Sequence, residues 1–109
     1  MAAPLAFRIH VSDNVATLTE DASAGAVACA GIAGLVALEP IARGHKIALS
    51  DIAAGTPVLK YGASIGTASL DIACGAWVHL HNLRSDYDQR SASLDLHSGA
   101  ATDNSSAYV

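Results

Sequence analysis

The chain is poor in basic and in aromatic residues. Lysine and arginine together number 6 among 109 residues, against 10 acidic residues, and the formal charge at pH 7 is −4. Nucleic-acid binding depends on neutralising phosphates, and an anionic membrane also attracts basic clusters, so we expect neither partner. Aromatic residues make up 5% and apolar residues 51% of the chain. This composition predicts a core of alanine, valine, isoleucine and leucine, which suits a tightly wound β structure.

The sequence also lacks a long hydrophobic run and a leader-like start. The uncharged stretch 22–38 is shorter than the ~20 residues of a membrane-spanning helix and is mostly alanine and glycine. No basic region followed by an apolar segment opens the chain, so we expect a cytoplasmic protein with no membrane contact. In that compartment the two cysteines, Cys29 and Cys74, are expected to be small buried apolar residues rather than a disulfide.

A duplicated segment is the clearest internal pattern. Residues 51–62 are echoed by residues 71–82, and both copies begin with the motif Asp-Ile-Ala-x-Gly. An aspartate at this position bonds its own backbone, the isoleucine enters the core, and the glycine adopts a positive φ before an alternating strand. Each copy therefore predicts a tight turn that leads into a strand. For the same reason we expect Asp51 and Asp71 to form turns rather than to act as catalytic acids.

Two histidines lie near the end of the second copy. If residues 77–82 form one alternating strand, His79 and His81 lie on the same face, and Val78 and Leu80 lie on the opposite face toward the core. The two imidazoles then point at one place, in a cleft or against a partner, which makes them the first candidates for a functional site. Two histidines on an exposed strand are also typical of an ordinary polar surface, and the residues alone leave both interpretations open.

The rest of the chain predicts short strands separated by turns, with no helix of more than two turns. From about Ser85 the composition shifts to small and polar residues, and the apolar periodicity ends. We therefore predict one domain over residues 1–84 and a polar, poorly ordered or partner-wrapped tail over residues 85–109. The strands predicted outside the histidine segment are residues 7–10, 15–18, 25–30, 35–38, 45–49, 58–61 and 64–68.

An ordered set of motifs between residues 43 and 82 carries a resemblance to a known family. The residues concerned are Arg43-Gly44-His45-Lys46-Ile47-Ala48-Leu49, Asp51-Ile52-Ala53, Gly55, Val58, Lys60-Tyr61-Gly62, Ile65-Gly66, Asp71-Ile72, Gly75 and Val78-His79-x-His81-Asn82, with Ile9-His10 and Asp13-Asn14-Val15-Ala16 at the start. In this order they are similar to the SAF-type N-terminal domain of the altronate/galactarate dehydratase family. The resemblance extends over about residues 7–84, and its relatives include the small subunit of sulfolactate sulfo-lyase.

This resemblance implies an all-β, SAF-type β-clip fold and a part in a hydro-lyase. Such an enzyme dehydrates a sugar acid or a related hydroxy acid to a 2-keto-3-deoxy acid, so the substrate is small and acidic. The resemblance further implies a separate large dehydratase-like catalytic subunit, without which the chain is inactive. It also implies a divalent metal ion, iron, manganese or magnesium, held mainly by that subunit. A homo-oligomer is compatible with the sequence, but no feature selects one.

Within the implied site, His79 and His81 are the catalytic candidates. Dehydration removes a weakly acidic proton beside a carboxylate and expels hydroxide, and a histidine that titrates near neutrality serves as acid or base. Alternatively, the same two imidazoles bind the metal together with ligands from the large subunit, and the metal stabilises the developing charge. The residues expected to bind the substrate are Asn14, His45, Lys60, Tyr61 and Asn82.

Two other functions remain open from the sequence. The first is a non-catalytic SAF-type module that binds a ligand or only supports a larger chain. The second is the small subunit of a sulfolactate-type carbon–sulfur lyase, from which sulfite leaves instead of water. Three of the site residues also have a purely structural interpretation. Lys60 and Tyr61 fit the end of an ordinary strand, and His45 fits a role in fixing a turn.

Overall fold

The computed structural model describes residues 2–85, and that part of the chain consists of short β-strands joined by turns. The prediction of an all-β fold is confirmed, because no helix occurs in the described residues. The strands are β1 (Leu5–Phe7), β2 (Val15–Leu18), β3 (Gly25–Ala26), β4 (Ala28–Cys29), β5 (Val36–Ala37), β6 (Lys46–Ala48), β7 (Pro57–Lys60), β8 (Ala63–Ala68), β9 (Trp77–Val78) and β10 (Leu83–Ser85).

Within residues 2–85, three sheets enclose two small cores. One sheet has five strands in the order β4-β1-β2-β6-β9, a second has the order β10-β8-β7, and β3 pairs with β5. One face of the five-stranded sheet packs on a core that includes Ala16, Leu18 and Ile47. The opposite face, with Val15 and Val78, packs against the three-stranded sheet. Both cores are built from aliphatic residues, as the composition predicts.

The Asp-Ile-Ala-x-Gly turn has a third relative at residues 40–44, where proline replaces the aspartate. In all three turns the backbone N–H that follows the glycine donates to the alanine carbonyl. These bonds are 3.1 Å for His45 to Ala42, 3.0 Å for Thr56 to Ala53 and 3.0 Å for Ala76 to Ala73. The glycine φ angles of +86° at Gly44, +89° at Gly55 and +91° at Gly75 lie in a region that side chains disfavour.

The aspartates of the two copies bond across to each other's turn. Asp51 Oδ1 accepts from the Cys74 N–H and Asp71 Oδ1 accepts from the Ala54 N–H, each at 2.9 Å. Ile52 and Ile72 form an antiparallel bridge between the copies, with two backbone hydrogen bonds of 2.8 Å. Asp51 and Asp71 therefore hold turns, as predicted. The expectation that each aspartate bonds its own backbone is wrong, because the copies face each other as a crossed pair.

The strand predicted over residues 77–82 ends early. β9 stops at Val78, and residues 79–82 turn back toward β10, with the Asn82 N–H donating to the His79 carbonyl at 3.0 Å. Val78 is fully buried as predicted, but Leu80 is 63% exposed, so the prediction that Leu80 faces the core is wrong. The cause is the buried amide of Asn82, which bonds the backbone on both sides of Val78 and closes the turn.

Three further predictions concern the cysteines, the tail and the membrane. Cys29 and Cys74 are free thiols as predicted, but only Cys29 is buried, since Cys74 lies in an exposed turn. Ser85 is a buried residue of β10, and the rest of the predicted tail, residues 86–109, lies outside the described residues. Within residues 2–85 no helix has the length and apolar character needed to cross a bilayer.

Candidate functional site

Four rings meet where β6 begins and β9 ends, and we call them the imidazole–indole cluster: His45, Trp77, His79 and His81. The strand register explains the meeting, because Ile47 pairs with Trp77 in adjacent antiparallel strands. Continuing that register by two residues brings His45 next to His79 on the face of the sheet that carries Trp77. The centroids of the two imidazoles are 5.1 Å apart.

Trp77 is the centre of the imidazole–indole cluster. The His79 ring stacks on the indole with a centroid distance of 5.4 Å and an angle of 9° between the planes. His81 lies 4.8 Å from the indole, and His45 meets it edge-on at 5.5 Å. His79 and His81 therefore do converge, although a turn around the indole, rather than strand alternation, brings them together.

A hydrogen bond ties the indole to one imidazole. Trp77 Nε1 donates to His45 Nδ1 at 3.1 Å, and the Trp77 backbone N–H donates to Glu39 at 3.2 Å. The backbone of His45 is fixed as well, since its N–H donates to Ala42 and its carbonyl accepts from Leu18. Both the ring and the main chain of His45 are thus held in place.

Lys46 adds positive charge beneath the cluster. Lys46 pairs with Val78 in the register, so its side chain is on the face of β6 that packs against the three-stranded sheet, away from the face of Trp77. The residue is only 2% exposed. Burial, together with the positive charge of Lys60, lowers the pKa of Lys46 to about 8. Burial also lowers the pKa of His79, and repulsion from Lys46, and from His45 and His81 whenever these imidazoles are protonated, lowers it further. His79 is therefore held in its neutral form at neutral pH.

An open groove lies beside the cluster, with His45 and Trp77 in its wall. Its volume is about 530 Å³, within the range of small-ligand pockets. Apart from those two rings and the carboxylate of Asp21, its lining is apolar. The other lining residues are Ala22, Pro40, Ile41 and Ala42. The arrangement offers a small ligand an apolar wall with three polar side chains, those of Asp21, His45 and Trp77.

Comparison with known proteins assigns the domain. A family model described as the altronate/galactarate dehydratase SAF domain matches residues 4–86. The chain belongs to this family. The altronate dehydratase of Escherichia coli K12 is 46% identical over 85 residues, which are 75% of this chain and 17% of that enzyme. The altronate dehydratase of Bacillus subtilis 168 is 38% identical over 79 residues, 72% of this chain and 16% of the enzyme.

A relative of a second kind is much shorter. The (2R)-sulfolactate sulfo-lyase subunit alpha of Paracoccus pantotrophus is 42% identical over 50 residues, which are 46% of this chain and 75% of that subunit. The match to this SAF domain thus covers about a sixth of each altronate dehydratase and most of this subunit. The predicted family is confirmed.

Lys60 and Tyr61 occupy a second corner of the SAF domain, at the turn between β7 and β8. The Lys60 ammonium lies 4.8 Å from the centroid of the Tyr61 ring, and Tyr61 has a φ of +59°, which is unusual for a residue with a side chain. Buried Asp13 holds this turn, accepting from the N–H groups of Tyr61 at 3.0 Å and Gly62 at 2.7 Å. Tyr61 is 60% exposed, and no ring contact links it to the cluster.

The ionisation of Asp13 follows from this position. Burial raises the pKa of its carboxyl, but backbone hydrogen bonds from Gly62, His10 and Tyr61 outweigh burial, so the pKa is lowered overall. Asp13 is therefore a charged anchor of the corner that carries Lys60 and Tyr61. This role has no direct signal in the sequence, because Asp13 belongs to a motif that predicts only an ordinary turn.

The two candidate asparagines use their amides to hold loops. Asn14 Oδ1 accepts from the Leu59 N–H at 2.7 Å, and its Nδ2 donates to the Pro57 carbonyl at 3.1 Å. Asn82 Oδ1 accepts from the His79 N–H at 3.0 Å, and its Nδ2 donates to the Trp77 carbonyl at 2.9 Å. The geometry thus gives both residues a structural role, and their predicted role in substrate binding stays a prediction.

The cluster does not form a metal site by itself. In the part of the chain that the structure describes, no group of three or more histidine, cysteine, aspartate or glutamate side chains is arranged to hold a metal ion. His79 and His81 rest on an indole, and Nδ1 of the third imidazole, His45, accepts a hydrogen bond. These residues do not fit a metal ion held by this SAF domain alone.

The sequence pattern missed two residues of the site. The pattern marks Trp77 only as the first residue of a predicted strand, and Lys46 only as a strand residue between His45 and Ile47. A lysine inside an otherwise apolar strand was the available signal for Lys46. For Trp77 there was no local signal, because its position at the centre depends on the pairing of β6 with β9.

Proposed function

We propose that this SAF domain acts as the small subunit of a hydro-lyase. It acts on a sugar acid or related hydroxy acid, and a separate large subunit completes the active site. The observation that carries the proposal is the imidazole–indole cluster beside an open groove, in a family whose named relatives include altronate and galactarate dehydratases. The cluster supplies proton-transfer groups, and the groove supplies room for a small ligand.

In this proposal His79 is the base. Dehydration of a 2,3-dihydroxy acid breaks the C2–H bond and the C3–O bond, and the electron pair of the first bond forms the double bond of an enol. His79 is suited to take the C2 proton, because its lowered pKa leaves its ring neutral. His81, at the exposed edge, gives a proton to the departing hydroxide, so that water leaves. The enol then tautomerises to the 2-keto-3-deoxy acid.

Positive charge favours an acidic substrate at this site. The chain as a whole carries −4, yet Lys60 lies close enough to help lower the pKa of Lys46, and Lys46 in turn helps lower the pKa of His79. Lys46 is buried, so it acts through its field rather than by contact. Lys60, with Tyr61, is the accessible pair for steering a carboxylate toward the groove.

The partner in the proposal is a large dehydratase-like chain. About five-sixths of each altronate dehydratase lies outside the part that matches this SAF domain. Apolar side chains exposed on and after β1 support contact with such a chain, since Leu5, Phe7 and Ile9 are each about half exposed. A divalent metal held mainly by that subunit belongs to the proposal, and a cytoplasmic location and a homo-oligomer stay predictions.

The test is activity of the two chains together. The SAF domain is mixed with the large subunit and assayed for 2-keto-3-deoxy acid on a panel of sugar acids, as the wild type and as a His79→Ala/His81→Ala variant. We expect activity that needs both chains and is lost in the double variant while the complex still assembles. Leu70→Ala, at an exposed residue that is not a member of the cluster, is the control that keeps activity. Full activity in the double variant would point to a structural module.

A second function is favoured by one comparison. The match to 75% of the sulfolactate sulfo-lyase alpha subunit makes a carbon–sulfur lyase the alternative. The same chains are then assayed with sulfolactate, and released sulfite is measured. Sulfite release without activity on any sugar acid would replace the hydro-lyase proposal. The same two histidines would serve either elimination, because both remove a proton and expel an anionic leaving group.

A further inference from the structure

We infer that Trp77 fixes the tautomer of His45, so that His45 acts at the site as a neutral hydrogen-bond donor through Nε2–H. In this inference Trp77 is a positioning residue, and His45 binds an oxygen of the ligand rather than transferring its proton or binding a metal ion. The part that concerns the ligand rests on the proposed function. The tautomer of His45 follows from the geometry of this chain alone.

The nature of the indole decides the direction of the hydrogen bond. An indole nitrogen carries a proton and offers no acceptor lone pair, so it can only donate. Trp77 Nε1 is 3.1 Å from His45 Nδ1. The Nδ1 atom is therefore the acceptor and carries the lone pair. A neutral imidazole has one N–H and one bare nitrogen, so the proton of His45 is on Nε2.

The surroundings keep this donor in one orientation. The His45 N–H donates to the Ala42 carbonyl at 3.1 Å, and the His45 carbonyl accepts from the Leu18 N–H at 2.9 Å. The ring meets the indole edge-on, at 61° between the planes, and lies 5.1 Å from the His79 ring. Rotation of the imidazole by half a turn would break the bond to Trp77. The donor is thus pre-organised before any ligand arrives.

The position of the ring directs the donor toward a ligand. In an imidazole the Nε2–H bond points away from the group that contacts Nδ1, here the indole nitrogen. His45 is half-buried and lines the groove of about 530 Å³. A ligand oxygen there, from a hydroxyl or a carboxylate of the acid, is the acceptor that this donor fits. The lone pair that a base or a metal ligand needs is already used by Trp77.

The three imidazoles have different roles in this arrangement. His79 and His81 make ring contacts with the indole but have no hydrogen bond from it, so their nitrogens stay available for proton transfer. His45 differs because one nitrogen accepts from Trp77 and the other holds the proton. We therefore expect His45 to contribute to ligand affinity and His79 to the rate of the chemical step.

The tautomer is tested on the full chain by nitrogen NMR at alkaline pH. Long-range proton–nitrogen correlation should give His45 Nδ1 the shift of a bare nitrogen and Nε2 that of a protonated one. A scalar coupling across the hydrogen bond from Trp77 Nε1 to His45 Nδ1 needs no substitution and should be present. In Trp77→Phe, which keeps an aromatic ring, the two His45 nitrogens should move toward intermediate shifts. A protonated Nδ1 in the wild type would overturn the inference.

The binding role is tested in the assembled enzyme. His45→Gln retains an N–H donor at similar reach, whereas His45→Leu removes it. We expect His45→Leu to raise KM about tenfold with little change in kcat, as loss of one hydrogen bond to a charged group predicts, and His45→Gln to restore most of the affinity. A loss in kcat that His45→Gln does not rescue would overturn the binding role. If no acid is turned over by the wild type, the proposed function fails, while the NMR result still decides the tautomer.

Discussion

Asp51 and Asp71 each bond to the turn of the other repeat, at the same oxygen-to-nitrogen distance of 2.9 Å. The equivalence follows from the crossed pairing of Ile52 with Ile72, which puts each carboxylate beside a backbone N–H of the opposite copy. Neither aspartate contacts the imidazole–indole cluster in the structure. Their contribution is therefore to stability.

The reciprocal bonds predict equal effects of substitution. Asp51→Ala and Asp71→Ala should each lower the free energy of unfolding by about 1 kcal/mol, because each removes one acceptor from a turn. Urea unfolding measures the loss, and the asparagine variants, which keep an acceptor oxygen, are the controls. A large loss from one alanine variant and none from the other would contradict the symmetry.

Asn82 should couple stability to the arrangement of the histidines. Asn82→Ala leaves the His79 N–H and the Trp77 carbonyl without their bonds, so we expect a loss of about 2 kcal/mol in the free energy of unfolding. The indole ring-current shift of the His79 proton signals should also disappear. Asn14→Ala is the matched control, because Asn14 bonds two backbone groups of β7 in the same way. It should cost similar stability and leave the His79 signals unchanged.

Lys46 should make stability rise with pH on the alkaline side. Its pKa falls from 10.5 to about 8 on folding, so the folded protein binds fewer protons than the unfolded chain between these values. The free energy of unfolding therefore rises as pH increases from about 8 to 10.5. Below about pH 8 the ammonium is charged in the folded protein, and the cost of burying that charge lowers the free energy of unfolding in full.

The matching variant is Lys46→Met. Between about pH 8 and pH 10.5 the wild type should gain on the order of 2 kcal/mol of stability, after allowance for solvent near the ammonium, whereas Lys46→Met should not show this gain. Chemical unfolding across this pH range measures both effects. Lys60→Met removes a lysine at a less buried position and is the control. We expect a smaller change in its free energy of unfolding. Parallel curves for Lys46→Met and the wild type would contradict the lowered pKa.

Two glycines in equivalent turns should differ in their tolerance of alanine. Gly55 and Gly75 have φ angles of +89° and +91°, so alanine at either position costs about 1 kcal/mol of backbone strain. A Cβ at Gly55 meets open space, whereas a Cβ at Gly75 collides with the Val36 carbonyl. Gly75→Ala should therefore lose about 3 kcal/mol or more in total, because the packed backbone there must shift. Equal melting temperatures for the two variants would refute this difference.

The parts of the fold that depend on local pattern were predictable from the sequence. The strand expected over residues 15–18 is β2 with the same bounds, and the turn motifs occur where the repeat places them. The alanine-rich stretch was harder, because small residues specify register weakly. Residues 25–30, expected as one strand, form β3 and β4, which belong to different sheets.

The candidate site was predictable only in part. His79 and His81 were identified, but the turn that holds them depends on the buried amide of Asn82, and alternation in the sequence does not reveal it. The positions of His45 and Trp77 depend on the pairing of β6 with β9, which is a long-range relation. Only the folded chain shows that these residues share one site.

The position of Trp77 has a practical consequence. It is the one tryptophan of the chain, and three imidazoles pack on or beside its ring. The emission of an indole depends on the charge and the contacts of its neighbours. Intrinsic fluorescence of this protein is therefore a label-free reporter of the cluster, and a ligand, a proton or a partner chain that reaches any of the three imidazoles changes one optical signal.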